Sequence, residues 1–524
     1  MRTLATLLAL AIALAGVLLA PSPAAAKEKT LDLGGEIGAL EVDSPQRRKM
    51  DATLQAYQNK RFFTASLGFY NLTQDAEAAE FHDQCEYYLA KCLFHLKLYH
   101  ASLTWFAKIL DRGAEHKFYR KTFKWLFKIS SNTKDEEFIL EYMARASLQK
   151  FPRRYKNQFS YLLGKYHYLK GNFPDARDLL TRVSPKSIYY VKSKYIQGIM
   201  FYREERHQEA VDAIKDMVRA FYSPDNPSLD ELIVEMAVLT IGRVYYQRHR
   251  FTLTEKYFRQ ISRDSENWLE SLFELAWTYF RMGDDDKALG ALHTLQAPFF
   301  VEEYYPEGHI LKAVIYHENC RYAKTKEILD RFVGEYKPLR EELKNYLRNH
   351  GAPEDYYALF EGTKTIGEGT LILGRVLKLA LQDRELRRIR VAIEELADEK
   401  AVIDRSESYW RTSPLAAALL GDLDRRNGQL VKRAGSIIRH QFEQAEDQLR
   451  DLINQGLRIQ LETTLGEKDI IEKEMQGAKP PEPISEFEWT SDVDDEHMYW
   501  PWKNEYWRDE LGTYVYAITR RCPK

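Results

Sequence analysis

One spacing constrains this chain more than anything else in it. Leu163-Gly164 is followed by Gly171, Phe173 and Ala176, and thirty-four residues after Gly164 comes Gly198, followed by Phe201 and Ala210. The step from Gly242 to Ala276 is again thirty-four, with Tyr245, Phe251 and Phe258 in the first copy and Tyr279, Gly283 and Ala288 in the second. A fixed period of this size, with small residues at two sites twelve apart, marks a repeating two-helix unit. The first small residue lets the second helix lie close against the first, and the second small residue returns the contact. Gly171 and Gly283 fall between the helices, where a positive φ is needed and glycine adopts it without strain. Such units stack on their neighbours alone, so one array can use much of a 524-residue chain.

The pattern extends in weaker form both ways. Pro45 opens a helix, and 60–65 with Phe69 reads as the second helix of a degenerate first unit. Leu89-Ala90 leads to Tyr99, Ser102 and Phe106, and a weak pair lies between Gly113 and Pro152, centred on Trp125 and Phe138. Two prolines in 223–228 mark an inserted loop. A last copy is centred on Ala313, with Tyr316, Tyr322, Thr325 and Leu329; Thr254 and Thr325 replace alanine at the second small site and predict slightly wider helix pairs.

These units resemble the tetratricopeptide repeat, a helix-turn-helix of 34 residues, over 45–334. The resemblance implies an all-α, right-handed solenoid of helical hairpins that binds protein or peptide partners. In that family the first helix of each unit lines a concave face at its fifth, ninth and twelfth positions. Carried onto this sequence, these are Tyr161, Tyr195 and Phe273, with Leu239 and Ile310; Lys165, Arg243 and Trp277, with Ile199 and Val314; and Tyr168, Tyr202, Tyr246, Phe280 and His317. The result is two aromatic-rich rows with scattered cations. Rigid rings lose little entropy on binding, which suits peptide ligands. The family's lysine-asparagine clamp for a terminal carboxylate is absent. The alternative occupant of the face is the chain's own C-terminal part.

Beyond 334 the period fades into a helical region, 335–478, in which two or three longer helices are expected from about Leu339 to Gly421. Ile438, Phe442, Ala445, Leu449 and Leu452 then form a heptad seam, interrupted by Gly456. A long helix packing back on the array is the favoured reading, a dimerising coil the alternative. A proline-rich linker at 479–486 precedes an aromatic tail, 487–524, where Trp500, Trp502 and Trp507 form a candidate tail motif. Residues 512–518 alternate like a strand, so the tail reads as a short aromatic hairpin docked on the helical body or, failing that, a detachable binding motif.

The chemistry of the rest is sparse. Lys+Arg and Asp+Glu number 76 and 78, a balance that does not point to nucleic acid. There is no GxxxxGK[ST], HExxH or GxSxG, and 492–496 has no EF-hand frame, so neither catalysis, cofactor nor metal is expected. Lys108, Arg112, Lys117, Arg120, Lys121, Lys124 and Lys128 make a basic segment, read as a solvated face or as a contact for an anionic membrane surface or cell-wall polymer. Cys85 and Cys92, about 10.5 Å apart on a helix, read as core residues; a Cys320–Cys522 bridge is open but not favoured by spacing. Arg2, the apolar run 4–20 and Ala24-Ala25-Ala26 read as a signal peptide over 1–26, followed by an irregular segment 27–44. An uncleaved anchor is the alternative. Together these features lead to the expectation of a non-catalytic bacterial periplasmic scaffold or adaptor of envelope machinery (outer-membrane assembly, cell-wall synthesis, polysaccharide export or gliding motility). A chaperone for exported clients and the accessory array of a polymer-processing enzyme are the alternatives. Mass spectrometry of the mature protein is expected to find Lys27 as the first residue; an intact Met1 on membrane-bound protein would establish the anchor instead.

Overall fold

The computed structural model describes residues 44–133, 140, 155–223, 232–363, 373–476, 489–491 and 506–522. The expected leader, the segment 27–43, Phe138, most of the inserted loop, the linker 479–486, the acidic run at 492–496, and Trp500 and Trp502 lie outside the described residues. The chain is all-α. Hairpins form from α1 (Pro45–Gln58) with α2 (Phe62–Gln74), α3 (His82–His95) with α4 (Tyr99–Arg112), α6 (Lys156–Leu169) with α7 (Phe173–Thr181), and α8 (Tyr190–Arg203) with α9 (His207–Phe221). They continue with α10 (Leu232–Gln247) and α11 (Phe251–Phe258), α12 (Trp268–Met282) and α13 (Asp285–Leu295), and α14 (Pro306–Glu318) and α15 (Tyr322–Asn349). A lone helix, α5 (Tyr119–Ser130), follows α4 and packs on it.

Every hairpin turn is built alike. One residue past the first helix takes a left-handed φ: Lys60 58°, Lys97 63°, Gly171 74°, Glu205 58°, His249 54°, Gly283 76° and Cys320 56°. The next amide then reaches back to the carbonyl five residues earlier, as from Arg206 to Phe201 (2.8 Å) and from Asp284 to Tyr279 (2.9 Å). This double closure satisfies the last carbonyls of the first helix and fixes the reversal.

Inside the hairpins the helices meet at the small residues. A methyl group on Gly164 would lie 2.7 Å from Leu180 Cγ, on Gly198 2.5 Å from Ile214 Cδ1, and on Gly242 2.3 Å from Phe258 Cε1. Ala176, Ala210, Ala276 and Ala288 are all fully buried. Thr254 and Thr325 are fully buried too, each hydroxyl donating to a carbonyl four residues back on its own helix.

The helix that opens in the last repeat does not end where the period fades: position 334 and Pro338 both lie inside α15. α15 runs through both, because Tyr336, Leu339 and Leu343 are buried on that stretch and their packing offsets the amide hydrogen bond that proline cannot make. α16 (Pro353–Thr363), α17 (Gly374–Gln382), α18 (Arg384–Arg405) and α19 (Ser408–Arg411) follow. The last helix, α20 (Pro414–Met475), has 62 residues and passes through Gly421 and Gly456 without interruption. Glycine inside a helix costs about 1 kcal/mol; at Gly456 a methyl would reach only ordinary contact with Leu329, Ile310 and Phe332, so the site does not require glycine. At Gly435 a methyl would overlap the Pro353 carbonyl. The heptad seam Ile438, Phe442, Ala445, Leu449 and Leu452 is buried, with α20 laid against α14 to α18 and touching α4. The seam is thus spent within the chain, as the favoured reading had it.

The tail docks. β1 (Trp489–Ser491) and β2 (Tyr514–Tyr516) pair antiparallel, with Thr490 opposite Val515. β2 lies on α13 at Gly290, where a methyl would overlap the Tyr514 carbonyl. Tyr516 is fully buried, Gly512 N–H donates to Thr294 Oγ1 (3.0 Å), and Cys522 is disulfide-bonded to Cys320. Cys85 and Cys92 are buried and free. No helix among the described residues is long and apolar enough to cross a membrane.

Substituting Gly198→Leu forces side-chain carbons into Ile214 and is expected to cost ~1–3 kcal/mol. Gly334→Ala, where a methyl meets nothing within 4 Å, is the control and should leave the midpoint level or higher. Thermal unfolding of both variants checks the hairpin register; equal midpoints would show it to be wrong.

Candidate functional site

The first helices α6, α8, α10, α12 and α14 carry the predicted rows, and the structure sorts them. Tyr161 and Lys165 are buried, at 6% and 8% exposure, with the Tyr161 ring stacked on Tyr189 (5.3 Å between centroids). Neither is open to solvent. Leu239 and Ile310 are buried as well, and the remaining positions are half-buried. The Arg203 guanidinium lies 5.4 Å from the Tyr168 ring centre. Tyr195 hydrogen-bonds Thr240 and stands near Arg384 at the start of α18. Tyr246 meets Phe251 edge-on, Phe273 lies 5.5 Å from Tyr305, and Trp277 lies 5.9 Å from Phe280 and hydrogen-bonds Glu307.

Arg243 is the electrostatic centre of this face. Its Nε donates to Glu274 Oε1 (2.7 Å) and its Nη2 to Glu270 Oε1 (2.5 Å), both on α12. Burial works against its charge, but the two carboxylates outweigh it and hold its pKa above the usual value. Burial raises Glu274, and Arg243 offsets part of that. Tyr202 stands within the field of the same ion pair. One guanidinium thus ties successive hairpins together and places charge between rings.

The C-terminal helices reach this face and the start of the array. His317 Nδ1 is 3.0 Å from Thr463 Oγ1 of α20, so the last residue of the aromatic row is covered. Lys326 pairs with Glu467, Arg340 Nε with Glu446 (2.9 Å), and Lys378 with Glu303 (2.9 Å). Arg384 contacts Met236 of α10, and Arg387 pairs with Glu266 (3.7 Å). At the other end Trp410, fully buried, donates to Ser66 Oγ of α2 (2.9 Å). Glu399 of α18 accepts from the amides of His100 (2.6 Å) and Ala101 (3.2 Å), the first turn of α4, while Glu395 bonds the His100 ring (3.2 Å). Free amides at a helix start attract a carboxylate. Burial nonetheless pushes the Glu399 carboxyl up to about 7, His100 and the amides offsetting only part of the cost.

A second concavity, of about 450 Å³, lies between α1, α3 and α5 and is lined by Tyr57, Tyr87, Lys91, His95, Lys121, Lys124 and Trp125. The basic segment read from the sequence contributes its rim; Lys91, its floor, was not singled out, because a lysine inside the helical run 89–93 gives no sign of which rings will surround it. Nearby, oxygen and nitrogen atoms of Asp83, Glu86 and His116 converge within 4.8 Å. Arg112 already pairs with Asp83 (3.1 Å) and with Glu86, so a cation of the chain's own fills that cluster. Of the tail motif, Trp507 is described and is half-exposed at 51%.

No protein-family model and no curated protein matches this chain. The likeness to tetratricopeptide units therefore rests on the residues themselves.

Glu399 gives a pH signature. A carboxyl raised from 4.5 to about 7 contributes stability that is complete below the lower value and is lost as pH rises through the higher. Glu399→Gln keeps an oxygen acceptor and does not titrate. Its stability relative to the parent is expected to rise by on the order of 2 kcal/mol between pH 5 and pH 8, measured by denaturant unfolding at both. A pH-independent difference would remove the buried carboxyl from the account.

Proposed function

We propose that the chain is a non-catalytic scaffold of tetratricopeptide-like hairpins, exported to the bacterial periplasm, where it acts as an adaptor in an envelope assembly. The partner is a protein or peptide laid along Tyr202, Arg243, Tyr246, Trp277 and Phe280. The observation that carries this reading is the Arg243 cluster: rings and fixed charges from successive hairpins stand side by side on one half-buried face. Rings with two rotatable bonds give contact area at low entropic cost, and a tied ion pair gives register. The disulfide Cys320–Cys522 supports the exported address, since such bonds persist in oxidising compartments. The C-terminal helices cover the face at His317 and approach it at Tyr195, so the partner's segment runs between those points.

The test is affinity purification of the full chain from cross-linked cells, beside the double variant Tyr246→Ala, Trp277→Ala. An adaptor yields one stoichiometric partner that the double variant loses by ten-fold or more, about 1.4 kcal/mol of binding. Many substoichiometric proteins would favour the chaperone alternative. A partner retained in full by the double variant would move the binding surface off this face.

A further inference from the structure

The concavity at α1, α3 and α5 contains a buried cation, Lys91, that no carboxylate among the described residues answers. Lys91, at 8% exposure, has its Nζ 4.4 Å from the Tyr88 ring centre, 4.7 Å from Tyr57, and 5.4 Å from both Tyr87 and Trp125. Trp125 Nε1 donates to the Tyr87 hydroxyl (2.9 Å), which locks two walls together. Among the described residues no carboxylate pairs with Lys91, Lys121 or Lys124. Burial above all, with Lys128, Lys121 and Lys124 close by, pulls the Lys91 pKa down to about 8. A buried charge without a counter-charge is costly, and the rings offset only part of that. The rim repeats the sign: Lys121 and Lys124 line the mouth, and Lys128 lies 4.4 Å over the outer face of Trp125.

We infer that this pocket binds an acidic sugar residue, a uronic acid of an anionic saccharide, with its carboxylate on Lys91 and its ring between Tyr57, Tyr87 and Trp125. The volume falls in the range of small-molecule sites. Aromatic faces are electron-rich and suit the C–H faces of a pyranose. A bare phosphate would surrender hydration to apolar walls and gain one buried cation in return. A peptide would bring backbone N–H groups to a lining that has no carboxylate to receive them. Lys121, Lys124 and Lys128 climb one face of α5 at helical spacing and extend the same charge beyond the pocket, as suits a chain of repeating acid units. This inference does not depend on the adaptor reading or on its surface.

The experiment is calorimetric titration of the full chain with glucuronate, glucose, inorganic phosphate, a short galacturonate oligomer and an acidic peptide. Glucuronate is expected to bind at least about ten-fold more tightly than glucose, and the oligomer more tightly still, with salt weakening both. Lys91→Met, a chain of similar length without charge, should erase the preference for the acid without lowering the melting midpoint. Lys121→Gln with Lys124→Gln, on the exposed rim, gives a second variant independent of core packing and should weaken glucuronate several-fold. The inference fails if nothing binds, if glucose equals glucuronate, if phosphate or the acidic peptide is preferred, or if both variants bind as the parent does.

Discussion

Two helices can approach only as closely as the residue at their crossing allows, and the array depends on that distance. Where Gly164, Gly198 and Gly242 stand, Leu180, Ile214 and Phe258 occupy the space a methyl group would need. The close approach buries the facing side chains, and the seven-fold recurrence of one turn geometry keeps each reversal the same (Lys60, Lys97, Gly171, Glu205, His249, Gly283, Cys320). Uniform reversals put the same helical positions of each unit on the same side. The row of half-buried rings and the Arg243 ion pairs between units follow from that repetition.

The C-terminal half answers a different need. Its last helix, α20, lies against α14 to α18 and touches α4. It is anchored by contacts of distinct kinds. Glu399 meets the amides at the start of α4, Trp410 fills a site on α2, and Gly435 lets α20 meet the Pro353 backbone. The tail completes the closure on α13, where His293 is buried against Tyr506 and Tyr514 and burial drives its pKa far down, to about 3.

Close approach is legible in a sequence because it removes side chains at a fixed period. The heptad seam and the alternating 512–518, of which 514–516 is strand, are legible for a similar reason, as periodic apolar positions. Turn geometry was legible only at Gly171 and Gly283. Lys60, Lys97, Glu205 and His249 adopt the same φ at a cost of roughly 1–2 kcal/mol each, a price the capping bonds meet and the sequence does not display. Gly421 and Gly456 read as an end and an interruption, yet the packing of a long helix outweighs the local propensity of both. Of the positions read onto the inner face, Arg243 and Trp277 are half-buried, whereas Tyr161 and Lys165 are buried, Tyr161 beneath the ring of Tyr189. Lys91 and Glu399 were invisible for one reason: what defines each is a group brought from far along the chain, Trp125 for one and the start of α4 for the other.

The bridge between Cys320 and Cys522 spans 202 positions of sequence. It joins the end of the tail to the turn between α14 and α15, so α15 to α20 lie within a covalent ring. Tension applied at the C-terminus bypasses that ring and enters the array directly at the last hairpin turn. The long helix is shielded from such a pull while the bond is intact. Reduction would bring the helices inside the ring, up to roughly 700 Å of chain if fully drawn out, into the line of the pull, where their packing alone resists it.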